Sequence, residues 1–225
     1  RLQLFDRAIF WDLGAGSGSV SIEASLLVPA GKVFALEKNP ERIQQIEINK
    51  RRFGVKNLEI VQTVLPQGLG GLPRPDRIFI GGGGQDLAKI INAAVTFLKP
   101  DGLVVVNTVR MQNLQAAAET LKALDFKTSK VQVQISRSQD MPWGDRLEAQ
   151  NPVWIISGIR KSERLGAFRN SLAINSFQRS TELTPKSHDE VRPISVPLLA
   201  WLYRYHSSRA ETGGNGRSSS DVSMR

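Results

Sequence analysis

Ile9-Phe-Trp-Asp-Leu-Gly-Ala-Gly-Ser-Gly18 joins a short apolar run to a turn with glycine at every second position, and a helical pattern follows to about Val28. Glycine at 14, 16 and 18 lets the backbone turn tightly and come close to a ligand where a side chain would collide. A strand that runs into such a turn and then a helix opens a parallel α/β sheet, whose ligands sit at the carboxyl ends of the strands. The dinucleotide fingerprint needs Gly or Ala at position 19, where this chain has Ser19. Gly-x-Gly-x-Gly with Asp12 two residues ahead is instead the S-adenosylmethionine form of the loop, which has no pyrophosphate to wrap. Asp12, Gly14, Ala15, Gly16, Ser17 and Gly18 are therefore candidate cofactor contacts.

The next unit supports that reading. Pro29-Ala-Gly31 turns the chain into Lys32-Val-Phe-Ala-Leu-Glu37, which places Glu37 at a strand end nineteen residues beyond Gly18. A carboxylate there can accept hydrogen bonds from both ribose hydroxyls, and Lys38 beside it joins the candidate set. The plain alternative is a ligand-free turn and a solvated glutamate; the two features in register favour the methyl donor. Many enzymes of this kind carry an acidic residue for the adenine amine after the third strand. Here the sequence is Gln62-Thr-Val-Leu65, so adenine is expected to rest on backbone groups and on Val64 and Leu65.

Outward from these units the strand–helix alternation continues. Asn39 and Pro40 read as N-cap and first residue of a helix with Ile43, Ile46 and Ile48 on its apolar side, closed by Gly54. Residues 58 to 63 and 77 to 80 read as strands, the second running into Gly81-Gly-Gly-Gly84. A helix over about 86 to 98, a strand over 103 to 108 and a helix over about 113 to 124 follow. Residues 131 to 135 and 153 to 159 read as two last strands around a loop, 136 to 152. The expected fold is α/β: a Rossmann-like class I S-adenosylmethionine-dependent methyltransferase with a mostly parallel seven-stranded sheet and helices on both faces, over residues 1–160. Residues 161–225 are Ser-rich and basic and lack apolar periodicity. They read as a disordered tail, with 196 to 205 as a short helix or docking segment.

Composition removes several chemistries. The chain has no cysteine, and both histidines and both tyrosines fall after residue 160. Within residues 1–160, His- or Cys-ligated metal sites and Ser-His triads are thus excluded. Of the net charge of +9, twenty Lys/Arg against fifteen Asp/Glu lie in residues 1–160 and ten against six in 161–225, with no dense basic stripe. Weak attraction to a polyanionic substrate fits this distribution, and specific nucleic-acid binding does not follow from it. No signal peptide opens the chain and no run is apolar enough to span a membrane, so the setting expected is cytoplasmic.

From Ile9 to Ile159 the chain resembles the CbiT-type methyltransferases of cobalamin biosynthesis, a domain that also forms the C-terminal half of the fused, decarboxylating precorrin-6Y C5,15-methyltransferase. The loop 12–18 and Leu98-Lys-Pro-Asp-Gly102 are common to many methyltransferases. More specific are Leu65-Pro-Gln-Gly-Leu69, Pro75-Asp-Arg-Ile-Phe-Ile-Gly-Gly-Gly-Gly84, and the stretch from Val133-Gln-Ile-Ser-Arg137 to Asn151-Pro-Val153. The resemblance implies methylation of a corrin precursor (precorrin-6B or its cobalt form) at C15, with carbon dioxide lost from the C12 acetate. It also implies an anionic tetrapyrrole as substrate and a homo-oligomer or a C5-methyltransferase domain or subunit as partner. Two departures stand out: Val64 replaces the family's acidic adenine contact, and the family's N-terminal segment would precede Arg1, so a truncated product is expected.

Methyl transfer from a sulfonium needs alignment and exclusion of water more than a strong base. Gly81, Gly82, Gly83 and Gly84 would allow close approach of a flat macrocycle, and Arg110 and Arg137 are the guanidinium candidates for its carboxylates. Asp140, Trp143 and Asp145 in the loop 136 to 152 read as a lid or a subunit contact. The competing readings are a tRNA adenine methyltransferase of the same fold and a non-catalytic S-adenosylmethionine-binding subunit.

Overall fold

The protein is described by a computed structural model covering residues 1–160. The tail reading for 161–225, including the segment 196 to 205, falls outside the described residues. Strand β1 (Ile9–Leu13) leads through the glycine loop into α1 (Ser19–Leu27), and β2 (Lys32–Glu37) into α2 (Pro40–Arg52). Strands β3 (Leu58–Gln62) and β4 (Arg77–Ile80) follow, then a 3-10 turn (Gly84–Asp86), α3 (Leu87–Phe97), β5 (Leu103–Thr108) and α4 (Met111–Ala123). The described part ends with β6 (Phe126–Val133), β7 (Ser136–Gln139), β8 (Arg146–Ala149) and β9 (Val153–Arg160).

Seven strands form one sheet in the order β3-β2-β1-β4-β5-β9-β6. Pairings from β3 through β5 are parallel, and β9 runs antiparallel to both its neighbours. Six strands therefore point one way, and the order reverses at β1 and β4, where β1 feeds the glycine loop. Such a reversal opens the crevice in which ligands of open sheets bind.

Both faces are covered. Trp11, Leu13, Phe34, Leu36, Ile78, Ile80, Val104 and Val106 form one continuous core with Leu87, Ile90 and Ile91 of α3 and Leu114 and Leu121 of α4. Full burial of side chains of this size stabilises by about 1.5–3 kcal/mol each. Trp11 adds an indole N–H donated to the Pro73 carbonyl at 3.1 Å. The opposite face carries Asp12 and is covered by α1, whose Ser21, Ile22, Ala24 and Ser25 are buried.

Helix α2 shows how local sequence sets an element. The Asn39 side chain accepts from the Glu41 N–H at 2.8 Å, Pro40 occupies the first turn, and Lys50, Arg51 and Arg52 close the last. An N-cap of this kind contributes about 1 kcal/mol, and the terminal cations complement the helix dipole.

The structure corrects five sequence expectations. Within α2 only Ile46 is buried and Ile48 points to solvent. The third strand stops at Gln62, and the helix expected from 113 starts at Met111. The strand expected over 131 to 135 spans Phe126–Val133, because pairing with β9 along its whole length recruits the polar residues before Val131. Finally, 136 to 152 is not a loop: β7 and β8 pair as a separate two-stranded hairpin, with Ser136 opposite Ala149 and Gln139 opposite Arg146.

Candidate functional site

The loop after β1 turns three times through backbone that glycine adopts without strain, with φ of +76° at Gly14, +59° at Gly16 and +80° at Gly18. Gly14 and Ala15 donate their N–H groups to the Leu36 carbonyl at 2.9 and 3.0 Å, which anchors the loop to the end of β2. Gly18 is the N-cap of α1 and has no side chain to cap it, and the first turn of the helix has no acidic residue. The positive dipole end of the helix therefore faces the loop, where an anionic group is stabilised. Ser17 and Ser19 bond to each other at 3.2 Å, and the Asn49 amide holds the Ser17 carbonyl at 2.9 Å.

Glu37 ties the loop to β2. Its Oε2 accepts from the Gly16 N–H at 2.8 Å, and its Oε1 accepts from the N–H groups of Lys38 and Asn39 at 2.9 and 3.0 Å. A carboxylate offers roughly four acceptor positions, so about one remains, on Oε2. Glu37 thus has room for one ribose hydroxyl while these bonds last, not both.

A cavity of about 440 Å³ opens beside it, lined by Gly14, Leu36, Glu37, Lys38, Thr63, Val64, Leu65, Ile90 and the run from Gly82 to Asp86. That size is within the range of small-molecule sites. Leu36, Val64, Leu65 and Ile90 supply apolar wall, and half-exposed Val64 is open to a ligand. One cavity therefore joins Glu37, Lys38, Val64 and Leu65 to the glycine turn after β4. The turn itself is held close: a Cβ on Gly14 would come 3.3 Å from the Gly82 nitrogen. Gly83 and Gly84 have φ of +132° and +52°, so backbone conformation favours glycine at both, and at Gly83 a Cβ would also come 3.1 Å from Leu87.

Asp12 sits behind the loop, off the cavity wall. It is fully buried, and its Oδ2 accepts from Ser21 Oγ at 2.5 Å while Oδ1 has no hydrogen-bond partner. Burial pushes its carboxyl up to about 7; the Ser21 bonds oppose this and the charge of Glu37 adds to it. An unpartnered buried acceptor behind the loop suits a ligand that brings positive charge to the site.

The remaining candidates are spread out. Gly81 precedes the cavity, donating its N–H to the Leu13 carbonyl at 3.1 Å. Arg110 is the exposed N-cap of α4, its N–H bonded to Thr108 Oγ1 at 3.1 Å. Arg137 lies on β7 opposite Glu148, in the hairpin and not at the end of a strand of the main sheet. Neither arginine lines the cavity. Asp140, Trp143 and Asp145 lie in the connection between β7 and β8, with Trp143 81% exposed. Sequence reading missed Leu36, Thr63, Gln85, Asp86 and Ile90. Reading one or two residues past the motifs at Val64 and Gly84 would have reached three of them.

The chain is similar to several known proteins. The family described as the precorrin methyltransferase domain matches residues 1–158. Cobalt-precorrin-6B C(15)-methyltransferase (decarboxylating) of Salmonella typhimurium is 33% identical over 158 residues, which are 70% of this chain and 81% of that protein. The precorrin-6Y C(5,15)-methyltransferase [decarboxylating] of a Sinorhizobium species is 44% identical over 101 residues, 45% of this chain and 24% of that longer protein. Among solved structures, precorrin-6Y C5,15-methyltransferase from Geobacter metallireducens superposes with a TM-score of 0.67 at 40% identity, covering 71% of this chain and 83% of that one.

Proposed function

The chain belongs to the precorrin methyltransferase family, and from that premise we propose that it methylates a corrin precursor, precorrin-6B or its cobalt form, at C15 and releases the C12 acetate carboxyl as carbon dioxide, in cobalamin biosynthesis. It is an S-adenosylmethionine-dependent enzyme, as its relatives are. The observation that carries the substrate assignment is a cavity in which the donor wall at Glu37 meets the glycine turn Gly82–Gly84.

Bound S-adenosylmethionine supplies an electrophilic methyl whose leaving group departs neutral. The chain's own task is alignment and exclusion of water, which account for a large part of such a barrier. Glu37 Oε2 accepts from a ribose hydroxyl. The N-terminal end of α1 takes the cofactor's carboxylate, and unpartnered Oδ1 of Asp12 favours its positive charge. Val64, Leu65 and Ile90 pack the adenine. Gly82 to Gly84, without side chains, let a flat macrocycle approach the methyl. Arg110 and Arg137 hold its carboxylates from the β5 and hairpin sides. A fused or separate C5-methyltransferase partner, self-association and a cytoplasmic setting belong to the same reading; the Sinorhizobium relative, much longer than its matched part, supports the first.

Losing a hydrogen bond to a charged group costs about 1.5–3 kcal/mol. Arg137→Ala is expected to raise the KM for the corrin substrate at least about tenfold with donor affinity unchanged. Unchanged KM in both Arg137→Ala and Arg110→Ala would place the acceptor elsewhere.

A further inference from the structure

Asp86 occupies the N-cap of α3 and does not cap it. Aspartate in that position ordinarily accepts from an amide of the first helical turn, and Asp86 makes no such bond. It lines the cavity at the end of the glycine turn instead, and its Oδ1 accepts from Lys89 Nζ at 3.0 Å. The two side chains are 58% and 77% exposed, so a proton held there exchanges with water. The other ionisable side chains on the cavity wall are Glu37 and Lys38. Glu37 already accepts three backbone N–H groups and serves the donor side, where Lys38 adjoins it. Asp86 is the ionisable group on the glycine-turn wall.

The C15 reaction, on which this inference rests, leaves work for such a group. A bridge carbon of a tetrapyrrole carries one hydrogen. Methyl transfer forms the C15–methyl bond and breaks the sulfur–methyl bond, leaving C15 with both hydrogen and methyl and the macrocycle with one added positive charge. Loss of carbon dioxide breaks the acetate carbon–carbon bond. Its electron pair enters the macrocycle, cancels that charge and leaves an exocyclic methylene. Conjugation through C15 returns when C15 loses its proton and the methylene gains one to become methyl. Over the whole sequence no proton is taken up or released.

We propose that Asp86 carries this proton, taking it from C15 as a base and delivering it to the methylene carbon as an acid, with Lys89 holding the carboxylate in place. General acid–base groups of this kind contribute about 100-fold or more.

The test compares wild type, Asp86→Asn and Asp86→Glu in deuterated water, with precorrin-6B and S-adenosylmethionine, followed by mass and absorbance. Wild type should place one solvent deuterium in the new C12 methyl. Asp86→Asn should bind donor as wild type does, add methyl and lose carbon dioxide, and then slow by about 100-fold or more in the absorbance change that restores conjugation. Asp86→Glu should recover part of that rate. Wild-type kinetics in Asp86→Asn, or no deuterium in the wild-type product, would overturn the relay. So would loss of donor affinity in Asp86→Asn, which would make Asp86 a donor ligand, or loss of methyl transfer itself, which would place Asp86 before the proton step. A wild type that neither adds methyl nor loses carbon dioxide contradicts the C15 function, and the relay falls with it.

Discussion

Two carboxylates at the donor end have opposite surroundings. Glu37 accepts three backbone N–H groups and still offers Oε2. With Glu37 as the proposed ribose partner, its removal takes away that bond and the tie to Gly16, so Glu37→Ala should weaken S-adenosylmethionine binding by about 1.5–3 kcal/mol by calorimetry. Affinity within error of wild type would show that the ribose is held elsewhere. Asp12 is the reverse case: buried, bonded by Ser21, and raised from 3.8 to about 7. Between those values the native state keeps a proton that the unfolded chain has lost. The stability this group contributes is therefore full below the unfolded value and declines as pH rises towards 7, by at most about 1.4 kcal/mol per pH unit. Asp12→Asn removes that titration, so urea unfolding should show the variant gaining on wild type from pH 4 to 7 and levelling off above. A constant difference across that range would mean the carboxyl does not titrate as a buried acid. Glu37 was legible because strand, turn and spacing fix it together. Asp86 stands two residues past the glycine run, within reach of the motif, but the run does not say which way the 3-10 turn that starts at Gly84 aims its side chain.

Among the elements, the cofactor loop and the glycine turn act as one unit because their backbones meet at Gly14 and Gly82. Gly14→Ala combines a positive φ, worth about 1–2 kcal/mol of strain, with a Cβ 3.3 Å from the Gly82 nitrogen. It should destabilise the fold by at least that amount and weaken donor binding. Gly70→Ala, with open space around its Cβ and no positive φ, should change stability by less than about 0.5 kcal/mol. Equal effects of the two in urea unfolding would remove the case for a close contact. The strands β2, β4 and β5 were readable from sequence because burial on both faces makes them continuous apolar runs. The hairpin was not. Ser136–Gln139 is polar throughout and Arg146–Ala149 alternates over only four exposed residues, so neither leaves an apolar run to read. Phe126–Val133 was half-read for the same reason, its first residues after Phe126 being mostly polar and its strand character coming from β9.

For the whole molecule, every cavity residue lies between Gly14 and Ile90, and the sheet that positions them closes by Arg160. A chain of residues 1–160 should therefore bind S-adenosylmethionine within about twofold of the full chain, a difference of less than ~0.5 kcal/mol. A larger loss by calorimetry would bring residues 161–225 into the donor site. Family, fold and cavity converge on one reaction, and one measurement addresses it directly. Incubating the full chain with precorrin-6B or its cobalt form and a methyl-labelled donor reports both halves by mass. The structure predicts a product that has gained one labelled methyl at C15 and lost one carbon dioxide. A protein that binds the donor in the Glu37 cavity yet returns the corrin unmethylated would contradict the account.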